Sequence, residues 1–170
     1  MSHYSVLVVT KTDRISELEK LLAPFDESLE VAPYIYKTKE ELDELDWITS
    51  EDDIFDEHGN LLTTYNPNSK WDWYSIGGRW SGGLHVVDDK LIHDCNSLPI
   101  RLWDIEDDFC TYAVLLPDGS WYSPGEMGWW GMSSESEDEW NSWADGYVDA
   151  MKELKRLWPN WFVTLVDCHI

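Results

Sequence analysis

Residues 4–10, YSVLVVT, decide the fold. The run is compact, apolar and rich in β-branched side chains, which are stiff at χ1 and pack well on a pleated surface. It reads as a central strand. Working outward, Thr12 or Asp13 can cap a short helix that puts Ile15, Leu18, Leu21 and Leu22 on one face. Pro24 follows where that helix must stop.

Residues 23–37 read as an extended connection. Thr38-x-x-Glu41 is a capping box for a short acidic helix. From Lys39 to Glu57 acids outnumber bases ten to one. Residues 38–60 therefore read as an acidic excursion, held to the body by a few apolar residues. DEHGN (56–60) is turn chemistry, and Leu61 to Tyr65 reads as the strand after it. Trp71 to Val87 reads as strand interrupted by Gly77-Gly78 and Gly82-Gly83. VVDDKLI (86–92) fits a hairpin. A stronger hairpin joins Thr111–Leu116 to Ser120–Tyr122 through Pro117-Asp118-Gly119. Ser134-x-x-Glu137 opens the best helix, with Trp140, Trp143, Tyr147, Met151, Leu154 and Trp158 at helical spacing. Acids lie at its start, Lys152, Lys155 and Arg156 near its end, and Pro159 stops it. Trp161 to Val166 is a last strand, ending in DCHI.

This order predicts one α+β domain over 1–170, with a mainly antiparallel sheet and helices packed on one face. A ferredoxin-like arrangement, with the first and last strands adjacent, satisfies the same order.

The 170 residues carry a net charge of -22, yet 43% are hydrophobic, which separates the chain from disordered acidic sequences. Such a surface repels nucleic-acid phosphates and anionic membranes, so neither is an expected partner. No apolar run reaches the roughly 20 residues that cross a bilayer. The first residues read as a strand rather than a leader, and Cys95, Cys110 and Cys168 have no scaffold spacing. Both point to the cytoplasm.

The 12 tryptophans are more than a small core needs, so some indole faces should line a pocket or the surface. NPNSKWDWYSIGGRW (66–80) concentrates them. Strand alternation would put Trp71 and Trp73 on one face as a stacking surface. Gly77 and Gly78 would let a ligand reach the backbone, and Arg79 offers a planar cationic fork. With Lys70 and Trp80 these are the parts of a site for a planar anionic molecule. A purely structural cation–π cluster uses the same residues. In SPGEMGWWGM (123–132), Glu126, Trp129 and Trp130 form a second wall of that pocket, or a plug between sheet and helix. Asp167 and His169 share a strand face, so the carboxylate could orient the imidazole for acid–base work, with Cys95 or Cys110 as a nucleophile. No spacing supports a metal site, and no cofactor is implied.

At NPNSKWDWYSIGGRW, GEMGWWGM and VDCHI the chain resembles a group of small acidic proteins, without an assigned reaction, of bacteria and their phages. LLAPFDESLEV (21–31) adds to the likeness. The resemblance implies an intracellular setting, in the host cytoplasm if phage-encoded, and an accessory role. It brings no catalytic residue with it.

Three functions are consistent with these residues. The leading one is binding of a nucleotide-like ligand by Lys70, Trp71, Trp73, Gly77, Gly78, Arg79, Trp80, Glu126, Trp129, Trp130 and His169, in counter-defence against host signalling. The second is an acidic DNA mimic or inhibitor that captures a basic host protein. The third is a small hydrolase or nuclease-like enzyme using Asp167 and His169. Exposed indoles would equally serve a homo-oligomer interface.

Overall fold

In the computed structural model, which describes residues 2–45, 48–86, 99–106, 109–127 and 133–170, strand β1 (His3–Thr10) lies inside a six-stranded sheet. The last strand, β9 (Phe162–His169), runs antiparallel to it along its whole length, from His3↔His169 to Thr10↔Phe162. β7 (Ala113–Leu115) flanks β1 on the other side in parallel register. β8 (Trp121–Tyr122) closes that edge as a hairpin with β7, and Gly119 takes the positive φ of 87° that its turn requires. On the far side, β5 (Trp73–Ile76) and β6 (Ile100–Arg101) both pair with β9, near its end and its start respectively. The sheet is thus mainly antiparallel, and the chain is α+β as the sequence predicts.

Alternation along β1 and β9 sorts the core into two layers. Tyr4, Val6, Val8, Val166 and Cys168 face helix α1 (Ile15–Leu22) through Leu18 and Leu22. Leu7, Val9, Val163 and Leu165 face helix α3 (Glu137–Leu157) through Tyr147 and Met151. The helices therefore cover opposite faces of the sheet, where the sequence reading placed them on one. The reason is the continuous apolar run of β1, whose odd and even positions both need cover. Adjacency of the first and last strands is found; the one-sided helix layer of a ferredoxin-like arrangement is not.

The acidic stretch contributes regular structure. β2 (Tyr34–Lys37), helix α2 (Lys39–Glu44), β3 (Ile54–Phe55) and β4 (Leu61–Thr63) form a unit with its own sheet, in the order β2-β4-β3. The predicted Thr38–Glu41 capping box closes in both directions. Asp56 holds the 56–60 turn through the backbone N–H groups of His58 and Asn60. Cap geometry differs elsewhere. α3 starts one turn fraction later than predicted, on a Ser136–Glu139 box. At α1 the cap position is Arg14 without a side-chain bond, while the Glu17 carboxylate reaches back to the N–H groups of Lys11 and Thr12. The 86–92 hairpin lies almost wholly outside the described residues. Among the described residues, no helix is long and apolar enough to cross a membrane.

Burial keeps several acidic protons on. It pushes the Cys168 thiol well above its ordinary 9.0, and the phenols of Tyr4 and Tyr147 above their ordinary 10.0. Raised values mean that the unfolded chain releases these protons first, so stability is complete below the ordinary values and falls as pH rises past them. Urea midpoints should hold up to pH 9.0 and drop progressively above it. A midpoint unchanged to about pH 11 would contradict this assignment of buried neutral groups.

Candidate functional site

Strand register alone assembles a polar cluster at the end of the sheet where β1 begins and β9 finishes. Trp73, His169 and His3 form one cross-strand row, and Ser75, Asp167 and Ser5 the next. All six lie on the α3 side, because they continue the alternation of Leu165 and Leu7.

Asp167 is the centre of the cluster and is only 2% exposed. Its Oδ1 lies 2.9 Å from His3 Nδ1, and its Oδ2 accepts the Arg79 backbone N–H at 2.9 Å. A carboxylate removed from water needs such partners, because its lost hydration is otherwise uncompensated. The glycines make the second contact geometrically allowed. Gly77 and Gly78 take φ of 72° and 52°, and the chain turns through Gly78–Trp80 over the carboxylate. A Cβ on Gly78 would stand 2.4 Å from Asp167 Cβ and 2.5 Å from Ser75 Oγ. The Gly77 N–H is also engaged, by the Leu165 carbonyl at 2.8 Å. The side-chain-free space that the sequence offers to a ligand is thus filled by the protein's own Asp167.

His169 lies beside it, 4% exposed. Its Nδ1 is 2.6 Å from Asp72 Oδ1, and the Asp72 N–H donates to its carbonyl at 2.9 Å. Trp73 stacks on the imidazole, with centroids 4.8 Å apart and planes 18° apart. His3 meets the same ring edge-on at 5.0 Å. Nε2 of His169 is buried with no hydrogen-bond partner among the described residues. A buried orphan of this kind carries a desolvation cost and calls for an explanation.

Around this buried base the surface holds Trp73 at 45%, Trp80 at 39%, and an exposed Arg79. Among the described residues no carboxylate is within ion-pair distance of the Arg79 guanidinium. Its backbone is fastened while its charge faces outward. No three His, Cys, Asp or Glu side chains gather as a metal cage would require, again among the described residues.

The remaining predicted residues are elsewhere. Trp71 is 7% exposed and packs with Phe25 on the α1 side, its Nε1–H donating to the Leu22 carbonyl. It does not share a face with Trp73, because β5 begins only at Trp73 and residues 70–71 bond to the Phe25 carbonyl instead. Lys70 Nζ pairs with Glu126 Oε2 at 2.5 Å beside Tyr4 and Tyr112, also on the α1 side. Lys70 and Glu126 therefore bind each other and not the Arg79 turn. Trp129, Trp130 and Cys95 lie outside the described residues. A groove of about 680 Å³ runs between α3 and the β7–β8 hairpin, lined by Leu116, Tyr122, Trp143, Leu154 and Trp158 among others, and none of the predicted site residues lines it.

Sequence reasoning missed His3 and Asp72. His3 had a readable signal: once β1 and β9 are paired end to end, the second-to-last residue of the chain faces the third. Asp72 had none, since its role depends on a bend before β5. Comparison with family models, curated proteins and solved structures gives no match.

The Gly78–Asp167 fit has a direct consequence. Gly78→Ala should destabilise the fold by about 1–3 kcal/mol through overpacking and a disfavoured positive φ. In an Asp167→Gly background the same change should cost less, because the Asp167 Cβ and carboxylate that meet the added methyl are gone and only Ser75 Oγ remains. Urea unfolding of the four proteins checks this; equal costs in the two backgrounds would refute the contact.

Proposed function

We propose that the protein binds a small, planar, anionic ligand, nucleotide-like in chemistry, on the surface formed by Trp73, Arg79 and Trp80. The observation that carries this reading is the Arg79 guanidinium, exposed and unpaired among the described residues of a chain with 34 acidic residues. Anchoring of the Arg79 N–H by Asp167 limits the freedom of the turn, so less entropy is lost when the side chain engages an anion. A guanidinium suits phosphate or carboxylate through two parallel N–H donors. Trp73 offers a half-exposed indole face, and His169 Nε2 beneath it is a polar group without a partner among the described residues. The net charge of -22 opposes anion approach, so recognition rests on this local contact and not on the overall field.

In the phage setting that the sequence resemblance implies, such a module would sequester a signalling nucleotide. The hydrolase reading has less support, since Asp167 and His169 are both buried and each is already bound to a partner.

Calorimetry against a panel of phosphate, mononucleotides, cyclic nucleotides and ADP-ribose tests the proposal. At least one nucleotide should bind, and Arg79→Ala should weaken it by about 1.5–3 kcal/mol, roughly 10- to 150-fold. Absence of binding across the panel, or full affinity in Arg79→Ala, would overturn it.

A further inference from the structure

The small sheet β2-β4-β3 carries an apolar row on its outer face. Ile35, Leu62 and Ile54 are cross-strand partners, so their side chains stand side by side on one face. Leu61, the neighbour of Leu62, points to the opposite face and is 5% exposed, which identifies the covered side. Ile35 is 49% exposed and Ile54 61%. In the same segment Leu45 is 59% exposed and Ile48 92%. Isolated exposed apolar residues are ordinary; several in one segment, two of them flanking the half-buried Leu62 in register, are not.

The charge of this segment is mostly negative, with Lys37 and Lys39 as its cations. Glu40 and Glu44 on α2, and Glu51 and Asp52 immediately before β3, are exposed, and no ion pair involves them among the described residues. Asp43 is neutralised locally by Lys39, the cation of the helix, at 2.7 Å. On the β3 side the row is therefore edged by acids, Glu51 and Asp52, that have no ion pair among the described residues.

We infer that this face docks a cationic amphipathic segment of another protein, with its apolar side on Ile35, Leu62 and Ile54 and its Lys or Arg residues toward Glu51 and Asp52. Charge complementarity selects that occupant. A second copy of this chain would bring another net charge of -22 and the same acidic rim against it. An anionic bilayer is repelled for the same reason. A partner that is only cationic would leave the apolar row in water, whereas an amphipathic one covers it and meets the rim together. This surface is separate from the Trp73–Arg79–Trp80 site, so the two assignments stand or fall independently.

The test uses the full chain with three fluorescent probes: an amphipathic Leu/Lys helix, its Leu/Glu counterpart, and polylysine of equal length. Anisotropy titrations should show binding of the Leu/Lys helix, none of the Leu/Glu helix, and affinity for polylysine at least roughly tenfold weaker at physiological salt. I35T and I54T together keep β-compatible side chains and should weaken the Leu/Lys helix at least roughly tenfold. Amide shift changes on binding should centre on β2, β4 and β3. The inference is overturned if the Leu/Lys helix fails to bind, if polylysine binds equally well, or if the double variant binds unchanged. It is also overturned if shift changes lie elsewhere, or if sedimentation shows self-association that the double variant abolishes.

Discussion

The Asp167 carboxylate is the contact on which the end of the sheet depends. It is buried, and its two oxygens are divided between His3 on β1 and the Arg79 N–H of the turn after β5. One side chain of β9 therefore fastens the strands on either side of it. Loss of either partner would leave one of its buried oxygens without a hydrogen bond, which costs more than a missing surface contact. Gly78 follows from this constraint, because no side chain fits between the turn and the carboxylate.

From there the outward face takes its character. The turn is held by its backbone, so the Arg79 side chain has no structural task among the described residues. His169 is held by Asp72 on one nitrogen and stacked under Trp73, and its other nitrogen has no partner among the described residues. The rigid buried layer and the unpaired outer layer are adjacent, which is the preorganisation expected of a binding surface. The α1 side of the same sheet lacks this division. There Lys70 and Glu126 pair, and Trp71 is consumed by packing and by the Leu22 carbonyl.

Much of this was legible in the sequence where local chemistry decides. The run at residues 4–10 gave the central strand, the Thr38–Glu41 box gave α2, and Pro117-Asp118-Gly119 gave the β7–β8 hairpin. Long-range facts were not legible. Alternation put Trp71 and Trp73 together, but alternation holds only inside a strand, and β5 starts at Trp73. The Gly pair read as an opening for a ligand, since nothing local shows that residue 167 enters that space. The partners of Asp167 and His169 come from positions 3, 72 and 79, and only strand pairing brings these together. The acidic stretch misled in a different way. Its charge suggested a loose excursion, while its strands pair in a small sheet and Leu42 and Leu61 are buried.

The account stands on the bond between Asp167 and the Arg79 amide. Hydrogen exchange of that amide, followed by NMR in the wild type and in Asp167→Ala, examines it directly. Arg79 is an exposed residue in a turn, where an unbonded N–H exchanges at nearly the free rate. The account predicts clear protection in the wild type and its loss in the variant, with the β1–β9 amides near Leu165 still protected. Free exchange at Arg79 in the wild type, or protection that survives Asp167→Ala, would contradict it.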